Sequence, residues 1–461
     1  MTLIKSISGI RGTIGGAPGE GLSPSDLVKF TAAYATFIKE KNPGKKCKIV
    51  LGRDARISGR MVGHVVKGTL LGMGVDVIDI KMATTPTVEI AVPGEHAQGG
   101  IILTASHNPK QWNALKLLNE KGEFLSAAEG NKILEIAASD AFTFSGVDDL
   151  GKLTKKPNYE DIHIKKILEL ELVKPDMIKQ AGFKIAIDCV NSVGGTVIPK
   201  LLKALGVKDI IELYCTPDGQ FPHNPEPLPE HLTEISKLVK ESKADAGFVV
   251  DPDVDRLAII NEDGSMFGEE YTLVAVSEYI LNNKKGNTVS NLSSSRALRV
   301  VTEKAGGKYE AAAVGEVNVV EKMKETNAVI GGEGNGGVIY PELHYGRDAL
   351  VGIALFLTYL AERKIKCSEL RKSLPDYYIS KNKIELNAGI DVDKILAGIQ
   401  KKYQNEKITT IDGVKIDFDN EWVHLRKSNT EPIIRIYSES FDKVTADKLA
   451  NQIMEDIRSM V

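Results

Sequence analysis

The chain has 461 residues, of which 42% are apolar and 26% are charged, as is ordinary for a soluble globular protein. Its formal charge of −3 argues against a general nucleic-acid or anionic-membrane partner. The four cysteines lack the spacing of a zinc site or a disulfide framework, and no segment matches a signal peptide or a membrane span, so we expect a cytoplasmic protein.

One pattern recurs along the chain: a short apolar strand ends in a loop rich in Gly, Ser or Asp, and an amphipathic helix follows. Alternating strands and helices predict βαβ units and mostly parallel sheets. The strands are predicted at Lys48–Leu51, Ile101–Leu103, Ile185–Ile187, Phe248–Val250 and Thr288–Asn291. The helices are predicted at 25–41, 57–72, 196–205, 231–242, 269–282 and 347–363.

The length exceeds what one hydrophobic core supports, so we expect several domains. The polar stretch around 140–160 is interpreted as a linker, and after about 375 the strands become shorter. We therefore predict an α/β protein with three similar mixed-sheet domains and a C-terminal α+β domain. Their predicted bounds are 1–155, 156–258, 259–372 and 373–461.

A serine follows the first of the chemically informative strands. The apolar run Ile101–Leu103 leads into Thr104–Pro109, and Pro109 keeps Asn108 out of the helical region, so a rigid loop is expected. Open α/β sheets place their chemistry at such strand ends. Ser106 is accordingly a candidate nucleophile or phosphate carrier, with an ordinary polar turn as the alternative.

A second signal is the run Asp251–Arg256, in which three aspartates alternate with other residues. In an extended loop the three carboxylates would project to one side, where a hard cation such as Mg²⁺ could neutralise them. A calcium EF-hand is disfavoured because Arg256 stands where that loop needs glycine. The remaining alternative is a solvated acidic turn.

Two later segments add ligand-binding chemistry. Glycines in Gly331–Gly337 allow close approach of the backbone to a ligand, while Glu333 and Asn335 can hydrogen-bond hydroxyl groups. The segment Arg426–Arg435 can surround a dianion with charged and hydroxyl groups. Taken alone, these segments could equally be a flexible loop and an ordinary hairpin.

The chain resembles the α-D-phosphohexomutases, the family of phosphoglucomutases, phosphomannomutases and phosphoglucosamine mutases. Four motifs carry the resemblance, in the family's order: Thr104–Pro109, Asp251–Arg256, Gly332–Gly336 and Arg426–Pro432. Ser8–Gly12 and Gly52–Asp54 also match. The resemblance implies four domains around a central cleft and an enzyme that acts as an intramolecular phosphotransferase, which is an isomerase.

The resemblance also implies how the residues act. Ser106 would carry a phosphate and exchange it with a hexose 1- or 6-phosphate through a 1,6-bisphosphate, while one Mg²⁺ binds Ser106, Asp251, Asp253 and Asp255. Lys116 would shuttle a proton or stabilise charge. The other implied catalytic residues are Arg11 and His107, and the implied substrate-binding residues are Arg256, Glu333, Asn335, Arg426, Ser428, Asn429, Thr430 and Arg435.

Sugar preference is not encoded in any one motif. Phosphoglucosamine mutase activity is the prediction, with a dual phosphomannomutase/phosphoglucomutase and a non-catalytic sugar-phosphate-binding protein as alternatives. A serine hydrolase is disfavoured because no Gly-X-Ser-X-Gly elbow surrounds Ser106.

Several bacterial relatives have a histidine at the position of Gly337, which leaves the second proton-transfer residue unassigned; His344 is interpreted as structural. The expected partners are hexose phosphates, with a hexose 1,6-bisphosphate as activator, in a monomer or homodimer.

Overall fold

A computed structural model describes residues 1–6, 9–385, 391–427 and 433–460. The chain divides into two compact units. Unit 1 comprises Met1–Thr272 and Asn335–Leu370, and unit 2 comprises Leu273–Gly334 and Arg371–Val461.

The first part of unit 1 is built on a mixed sheet of seven strands in the order β1-β2-β6-β5-β3-β4-β7. Strands β5, β3, β4 and β7 run parallel, and the pairs β1–β2, β2–β6 and β6–β5 are antiparallel. The strands are β1 Leu3–Ser6, β2 Gly9–Thr13, β3 Lys48–Arg53, β4 Asp76–Met82, β5 Gly99–Leu103, β6 Trp112–Leu118 and β7 Leu153–Lys155. The helices are α1 Pro24–Lys41, α2 Gly59–Gly72, α3 Thr85–Gly94, α4 Ala127–Ala138 and α5 Tyr159–Leu168, with a 3₁₀ turn at Val147–Asp149.

Helices cover both faces of this sheet. Alternate residues of a strand point to opposite faces, so Ile49 and Leu51 join the core beneath α1, α2 and α4, whereas Val50 joins the core beneath α3. Helix α1 begins with a capping box, in which the Ser23 hydroxyl and the Asp26 carboxylate each accept a backbone N–H of the other residue. Because β3 and β5 pair in parallel, their carboxyl ends lie at the same edge of the sheet, where Ser106 follows β5.

The rest of unit 1 contains a four-stranded sheet in the order β11-β10-β8-β9, with only the β10–β11 pair antiparallel. Its strands are β8 Lys184–Asp188, β9 Asp209–Leu213, β10 Ala246–Val250 and β11 Leu257–Asn261. Its helices are α6 Pro175–Ala181, α7 Gly194–Ala204 and α8 Thr233–Ser242, with a 3₁₀ turn at Pro229–His231. Helix α9, Glu269–Asn283, follows.

Unit 2 contains a parallel sheet and an antiparallel sheet. In the first, β12 Asn287–Asn291 lies between β13 Tyr309–Ala312 and β14 Ala328–Glu333. Helices α10 Ala297–Lys304 and α11 Glu316–Thr326 connect these strands. Later along the chain, unit 1 includes β15 Gly337–Ile339, α12 Ala349–Arg363 and the start of α13 Cys367–Ser373.

The antiparallel sheet of unit 2 has the order β16-β20-β19-β18-β17. Its strands are β16 Tyr378–Glu385, β17 Lys407–Thr409, β18 Val414–Asp417, β19 Trp422–Lys427 and β20 Ile433–Ser440. Helices α14 Val392–Lys402 and α15 Lys443–Arg458 contribute to its apolar core. The predicted fold class, mixed-sheet α/β domains followed by an α+β domain, is confirmed.

The predicted linker at 140–160 is wrong in part. It includes β7, which pairs in parallel with β4 through Val77, Ile78 and Asp79 and so completes the first sheet. The three residues of β7 are exposed, and a polar three-residue strand at a sheet edge has no apolar pattern by which to be recognised. The four predicted domain bounds stay a prediction. Among the described residues, no helix combines the length and the apolarity needed to cross a membrane.

Candidate active site

Ser106 lies three residues beyond the carboxyl end of β5 and is buried. Its backbone has φ of +50°, a left-handed conformation that is uncommon for a residue other than glycine. The Ser106 N–H donates to Thr104 Oγ1 at 3.0 Å, and the Ser106 hydroxyl donates to Asp251 Oδ2 at 2.9 Å. The serine predicted from the sequence therefore contacts the predicted aspartate loop directly.

Arg56 supports this serine loop, a role that no sequence motif indicated. Its side chain is fully buried, and its Nε donates to Asp54 Oδ2 at 2.9 Å. Burial raises the pKa of Asp54, which the Arg56 charge opposes. The Arg56 guanidinium donates to backbone carbonyls of the loop, those of Ser106, Asn108 and Pro109. The motif Gly52–Asp54 ends two residues before Arg56, and nothing in the sequence indicates that Arg56 contacts a loop about 50 residues away.

The aspartate loop joins the antiparallel strands β10 and β11, which excludes a helix–loop–helix calcium site. The expectation of an extended loop is wrong: Val254 has φ of +62°, and its N–H donates to the Asp251 carbonyl at 3.1 Å, which closes a turn. The three buried carboxylates nevertheless converge, with one oxygen of each lying within 4.8 Å of the others.

Distant parts of unit 1 anchor the aspartate loop. The Thr85 N–H donates to the Asp253 carbonyl at 2.9 Å, and the Thr85 hydroxyl donates to Asp253 Oδ2. The Val254 carbonyl accepts the Ala349 N–H at 3.2 Å, and the Leu257 N–H donates to the Gly336 carbonyl at 3.0 Å. The turn is thus anchored by residues from three other positions in the chain, Thr85, Gly336 and Ala349.

Two cations face the carboxylates. Lys116 Nζ lies 2.7 Å from Asp253 Oδ2 and 3.6 Å from Asp255 Oδ2, and Arg347 Nη2 lies 2.7 Å from Asp255 Oδ2. Burial lowers the pKa of Lys116, but the two carboxylates outweigh it and the pKa rises above its usual value. Burial and the neighbouring carboxylates raise the pKa of Asp251 well above its usual range. Lys116 is thus held protonated beside the triad.

The donor set fits a hard divalent cation. Asp253 Oδ1 and Asp255 Oδ1 are buried and have no hydrogen-bond partner, although buried carboxylate oxygens are normally satisfied. Asp251 Oδ1 is taken by the N–H groups of Asp255 and Arg256, and its Oδ2 faces Ser106. Clustered carboxylate and hydroxyl oxygens are the ligands that Mg²⁺ prefers.

The other predicted residues of unit 1 lie around this centre. Arg11 Nη1 donates to Asn108 Oδ1 at 2.9 Å, and Arg256 Nε lies 3.9 Å from Asp255 Oδ1. Burial, and next the Arg256 charge, lower the pKa of His107 to about 2, so its imidazole is neutral. Because the Ser106 hydroxyl donates to Asp251, the structure provides no serine–histidine dyad.

The two predicted sugar-reading residues belong to different units. Glu333, at the end of β14 in unit 2, accepts hydrogen bonds from Asn291 Nδ2 at 2.8 Å and from the Gly315 N–H at 3.1 Å. Asn335, in unit 1, accepts the Gly337 N–H at 3.3 Å. Both side chains therefore have partners within their own unit.

The predicted phosphate segment is described only at its ends. Arg426 on β19 and Arg435 on β20 are directly opposite each other in the antiparallel register, so they share a face of the sheet. Arg426 Nε lies 2.8 Å from Asp412 Oδ2, and Arg435 is exposed. The predicted residues Ser428, Asn429 and Thr430 lie outside the described residues.

Four family models match the chain consecutively. They describe the phosphoglucomutase/phosphomannomutase α/β/α domains I, II and III and the C-terminal domain, and they match residues 3–144, 161–264, 268–378 and 382–456. The fold and the motifs thus define a mutase of the phosphohexomutase class.

Curated relatives agree over nearly the whole length. A phosphoglucomutase/phosphomannomutase of Thermococcus kodakarensis is 36% identical over 93% of this chain and 94% of its own. A phosphoglucosamine/phosphogalactosamine mutase of Sulfurisphaera tokodaii is 34% identical over 96% and 97%. The chain belongs to the phosphoglucomutase/phosphomannomutase family and is an isomerase.

A solved structure shares this fold. It is a phosphoglucomutase/phosphomannomutase family protein from Burkholderia thailandensis, with a TM-score of 0.85 and 24% identity. The alignment covers 99% of this chain and 97% of that one. The predicted family is therefore confirmed by sequence, and the fold also by structural similarity.

Proposed function

We propose that the protein interconverts hexose 6-phosphate and hexose 1-phosphate through a phosphate carried on Ser106 and a hexose 1,6-bisphosphate. The observation that carries this proposal is the hydrogen bond from the Ser106 hydroxyl to Asp251, a member of the buried triad that fits Mg²⁺. Phosphoryl transfer depends on charge neutralisation and in-line positioning, and this site supplies both a carrier oxygen and a cation-binding group beside it.

Asp251, Asp253 and Asp255 would hold the metal. Mg²⁺ bound there would withdraw negative charge from the transferring phosphoryl group. Arg11 and Arg256 supply further positive charge for phosphate oxygens, because Arg11 contacts the serine loop and Arg256 closes the aspartate loop. His107 shapes the loop as a neutral side chain and does not activate Ser106.

Lys116 is the proposed proton donor. In one half-reaction the bond between phosphorus and Ser106 Oγ breaks, a bond to a sugar hydroxyl oxygen forms, that hydroxyl loses its proton and Ser106 Oγ gains one. The carboxylates of Asp253 and Asp255 outweigh the effect of burial and keep Lys116 protonated at neutral pH, so it can donate a proton to the departing oxygen. The hydroxyl proton passes to solvent water, and Lys116 regains a proton from the same source, so the half-reaction is balanced.

Sugar hydroxyls are proposed to bind Glu333 and Asn335, and the non-transferring phosphate to bind Arg426, Ser428, Asn429, Thr430 and Arg435. A guanidinium is well suited to a phosphate dianion because it presents several N–H donors in one plane. Arg426 and Arg435, opposite each other on neighbouring strands, supply two such groups on one face.

Phosphoglucosamine mutase is the proposed activity, supported by the name of the Sulfurisphaera tokodaii relative. The name of the Thermococcus kodakarensis relative favours a dual phosphoglucomutase/phosphomannomutase as the second candidate. Activation by a hexose 1,6-bisphosphate, a monomeric or dimeric state and a cytoplasmic location stay predictions from the sequence.

The test is a parallel kinetic assay with the 1-phosphates of glucosamine, glucose and mannose. We expect the highest kcat/KM with glucosamine 1-phosphate. The Ser106→Ala variant should lose roughly 10³-fold or more of kcat with every sugar, because the carrier oxygen is gone. Mass spectrometry should find one phosphate on Ser106 of the wild-type protein.

Ser139→Ala is the matched control, since Ser139 is exposed at the end of α4. It should retain wild-type kinetics. Near-normal turnover by Ser106→Ala would contradict the phosphoserine mechanism. Binding of sugar phosphates without turnover by the wild-type protein would instead identify a non-catalytic binding protein.

A further inference from the structure

Arg347 occupies space that glycine leaves open at position 337. A Cβ atom added to Gly337 would lie 2.3 Å from Arg347 Cδ and 3.1 Å from Arg347 Cγ, which is closer than carbon atoms can approach without displacement. Gly337 therefore admits the Arg347 side chain, whose guanidinium reaches Asp255 Oδ2 at 2.7 Å. Any larger residue at 337 would have to move this arginine.

The backbone around Arg347 is anchored on both sides. The Asp348 N–H donates to the Val338 carbonyl at 2.8 Å, and the Asp348 side chain caps α12 by accepting the Leu350 N–H at 2.8 Å. The next residue, Ala349, donates its N–H to the Val254 carbonyl of the aspartate loop. Arg347 is thus presented to Asp255 by a rigid segment and is not a mobile surface side chain.

The contact between Arg347 and Asp255 offsets part of the negative charge of the carboxylate triad. Three buried carboxylates converge within unit 1, and the two cations nearest to them are Lys116 and Arg347, both within 3 Å of a carboxylate oxygen. Clustered buried carboxylates repel one another unless cations offset them. Arg347 takes Asp255 Oδ2, whereas Asp255 Oδ1 has no hydrogen-bond partner.

We propose that Arg347 is the resident counter-ion of the triad: it holds Asp255 through Oδ2, leaves Oδ1 for the metal and compensates the triad in the metal-free protein. Gly337 is the position that makes this possible. The inference rests on the proposed function, in which the triad binds Mg²⁺. Arg347 is a positioning residue, because it acts on the metal site through Asp255.

Loss of the Arg347 charge should lower the stability of the metal-free protein and raise its affinity for Mg²⁺. Removing the positive charge leaves the carboxylates less compensated, so the metal-free protein becomes less stable. The same removal ends the repulsion between the guanidinium and a bound divalent cation and frees Asp255 Oδ2 from its hydrogen bond, and these two gains outweigh the loss of positioning, so Mg²⁺ binds more tightly. General structural damage would lower stability and weaken metal binding together, and it cannot produce this combination.

The experiment uses the full-length protein freed of metal with EDTA. MgCl₂ is titrated by calorimetry, and thermal unfolding is followed with and without Mg²⁺, for Arg347→Met, Arg347→Lys and Gly337→Ala. Arg347→Met should bind Mg²⁺ about tenfold more tightly, melt at a lower temperature without metal and gain more from added Mg²⁺. Gly337→Ala should change in the same direction, and Arg347→Lys should stay near the wild type.

Two controls separate this role from generic effects. Arg363→Met removes an arginine at the other end of α12, and Gly352→Ala adds a methyl group whose nearest neighbour, a Leu257 carbon, is 3.4 Å away. Both should leave the affinity for Mg²⁺ unchanged. Unchanged or weaker Mg²⁺ binding by Arg347→Met would overturn the counter-ion role alone. Failure of the wild-type protein to bind Mg²⁺ would overturn the proposed metal site together with it.

Discussion

At the scale of single residues, the site depends on side chains that touch no reacting group. Arg56 is the clearest case, because its buried guanidinium donates to several carbonyls of the loop that carries Ser106 and also pairs with Asp54. These carbonyl groups lie beyond the end of β5, outside the strand pairing of the sheet, so they need other hydrogen-bond donors. Arg56 therefore helps to stabilise the loop in which Ser106 has its unusual left-handed backbone conformation.

Replacing Arg56 with Met should lower the free energy of unfolding by about 3–5 kcal/mol, because the Asp54 carboxylate would be left buried without its cation. Urea denaturation measures this change. The turnover should fall as well, since the serine loop loses its donors. Arg60→Met, one turn along on the exposed side of α2, is the control and should change stability by no more than about 0.5 kcal/mol. Equal effects of the two substitutions would refute the supporting role of Arg56.

The sequence motifs predicted Ser106 and the three aspartates of the candidate site, but not Arg56 and Arg347, which contact them or their loops. Ser106 and the three aspartates stand in short, distinctive segments, and they come together as expected. Arg56 and Arg347 contact the site across 50 and 92 residues of sequence, respectively. A cation so far along the chain has no local pattern that distinguishes it from the other lysines and arginines.

At the scale of elements, the predicted helices begin and end within two residues of the observed bounds, because caps and apolar spacing are local signals. The predicted α1 at 25–41 is observed as Pro24–Lys41, and the predicted helix at 347–363 as Ala349–Arg363. Several observed helices, such as α3 and α11, were not predicted, and the predictions at β7 and at the Val254 turn are wrong. Each depends on tertiary partners, since β7 is defined by pairing with β4 and the turn by anchors on other segments.

Helix α12 begins in a buried polar network that should make stability depend on pH. Burial lowers the pKa of His344, but hydrogen bonds to Asp348 and Glu89 outweigh it and raise the pKa to about 10. His163 also bonds to Asp348, at 2.9 Å. Because the folded pKa exceeds the unfolded value of about 6.5, the stability from protonated His344 is complete below pH 6.5 and is lost as the pH rises towards 10.

The measurement is the melting temperature of His344→Asn and of wild type between pH 6 and pH 10. The wild-type protein should lose stability across this interval, and the variant should start lower and lose less. His64→Asn, at an exposed position on α2, should follow the wild-type profile. Parallel profiles for His344→Asn and wild type would exclude His344 as the titrating group.

At the scale of the whole molecule, the chain crosses three times between the two units, at 272/273, 334/335 and 370/371. The carboxylate triad, Ser106, Lys116 and Arg347 all belong to unit 1, whereas Glu333, Arg426 and Arg435 belong to unit 2. A sequence-based division into consecutive domains could not anticipate units that each use two separate stretches of chain. Composition changes along the chain mark boundaries but not which segments pack together.

The division into two units predicts which strands Mg²⁺ should protect from amide exchange. A ligand raises the protection of the cooperative unit that binds it. Adding Mg²⁺ to EDTA-treated protein should slow amide exchange in β5, β10 and β11 of unit 1 and leave β20 of unit 2 unchanged, with NaCl at equal ionic strength as the control. Hydrogen exchange read by mass spectrometry measures it. An equal slowing in both units would show that metal binding is not local to unit 1.

The anchors of the aspartate loop also bear on when the metal site can exist. The loop that contains the Val254 turn is anchored by Thr85, Gly336 and Ala349. During synthesis the three aspartates emerge long before residue 349 does, so a nascent chain carries the carboxylates and Thr85 without the anchors that Gly336 and Ala349 provide. Contacts so distant in sequence form late because loop closure must precede them. The proposed metal site can therefore form only after the chain has been synthesised beyond residue 349.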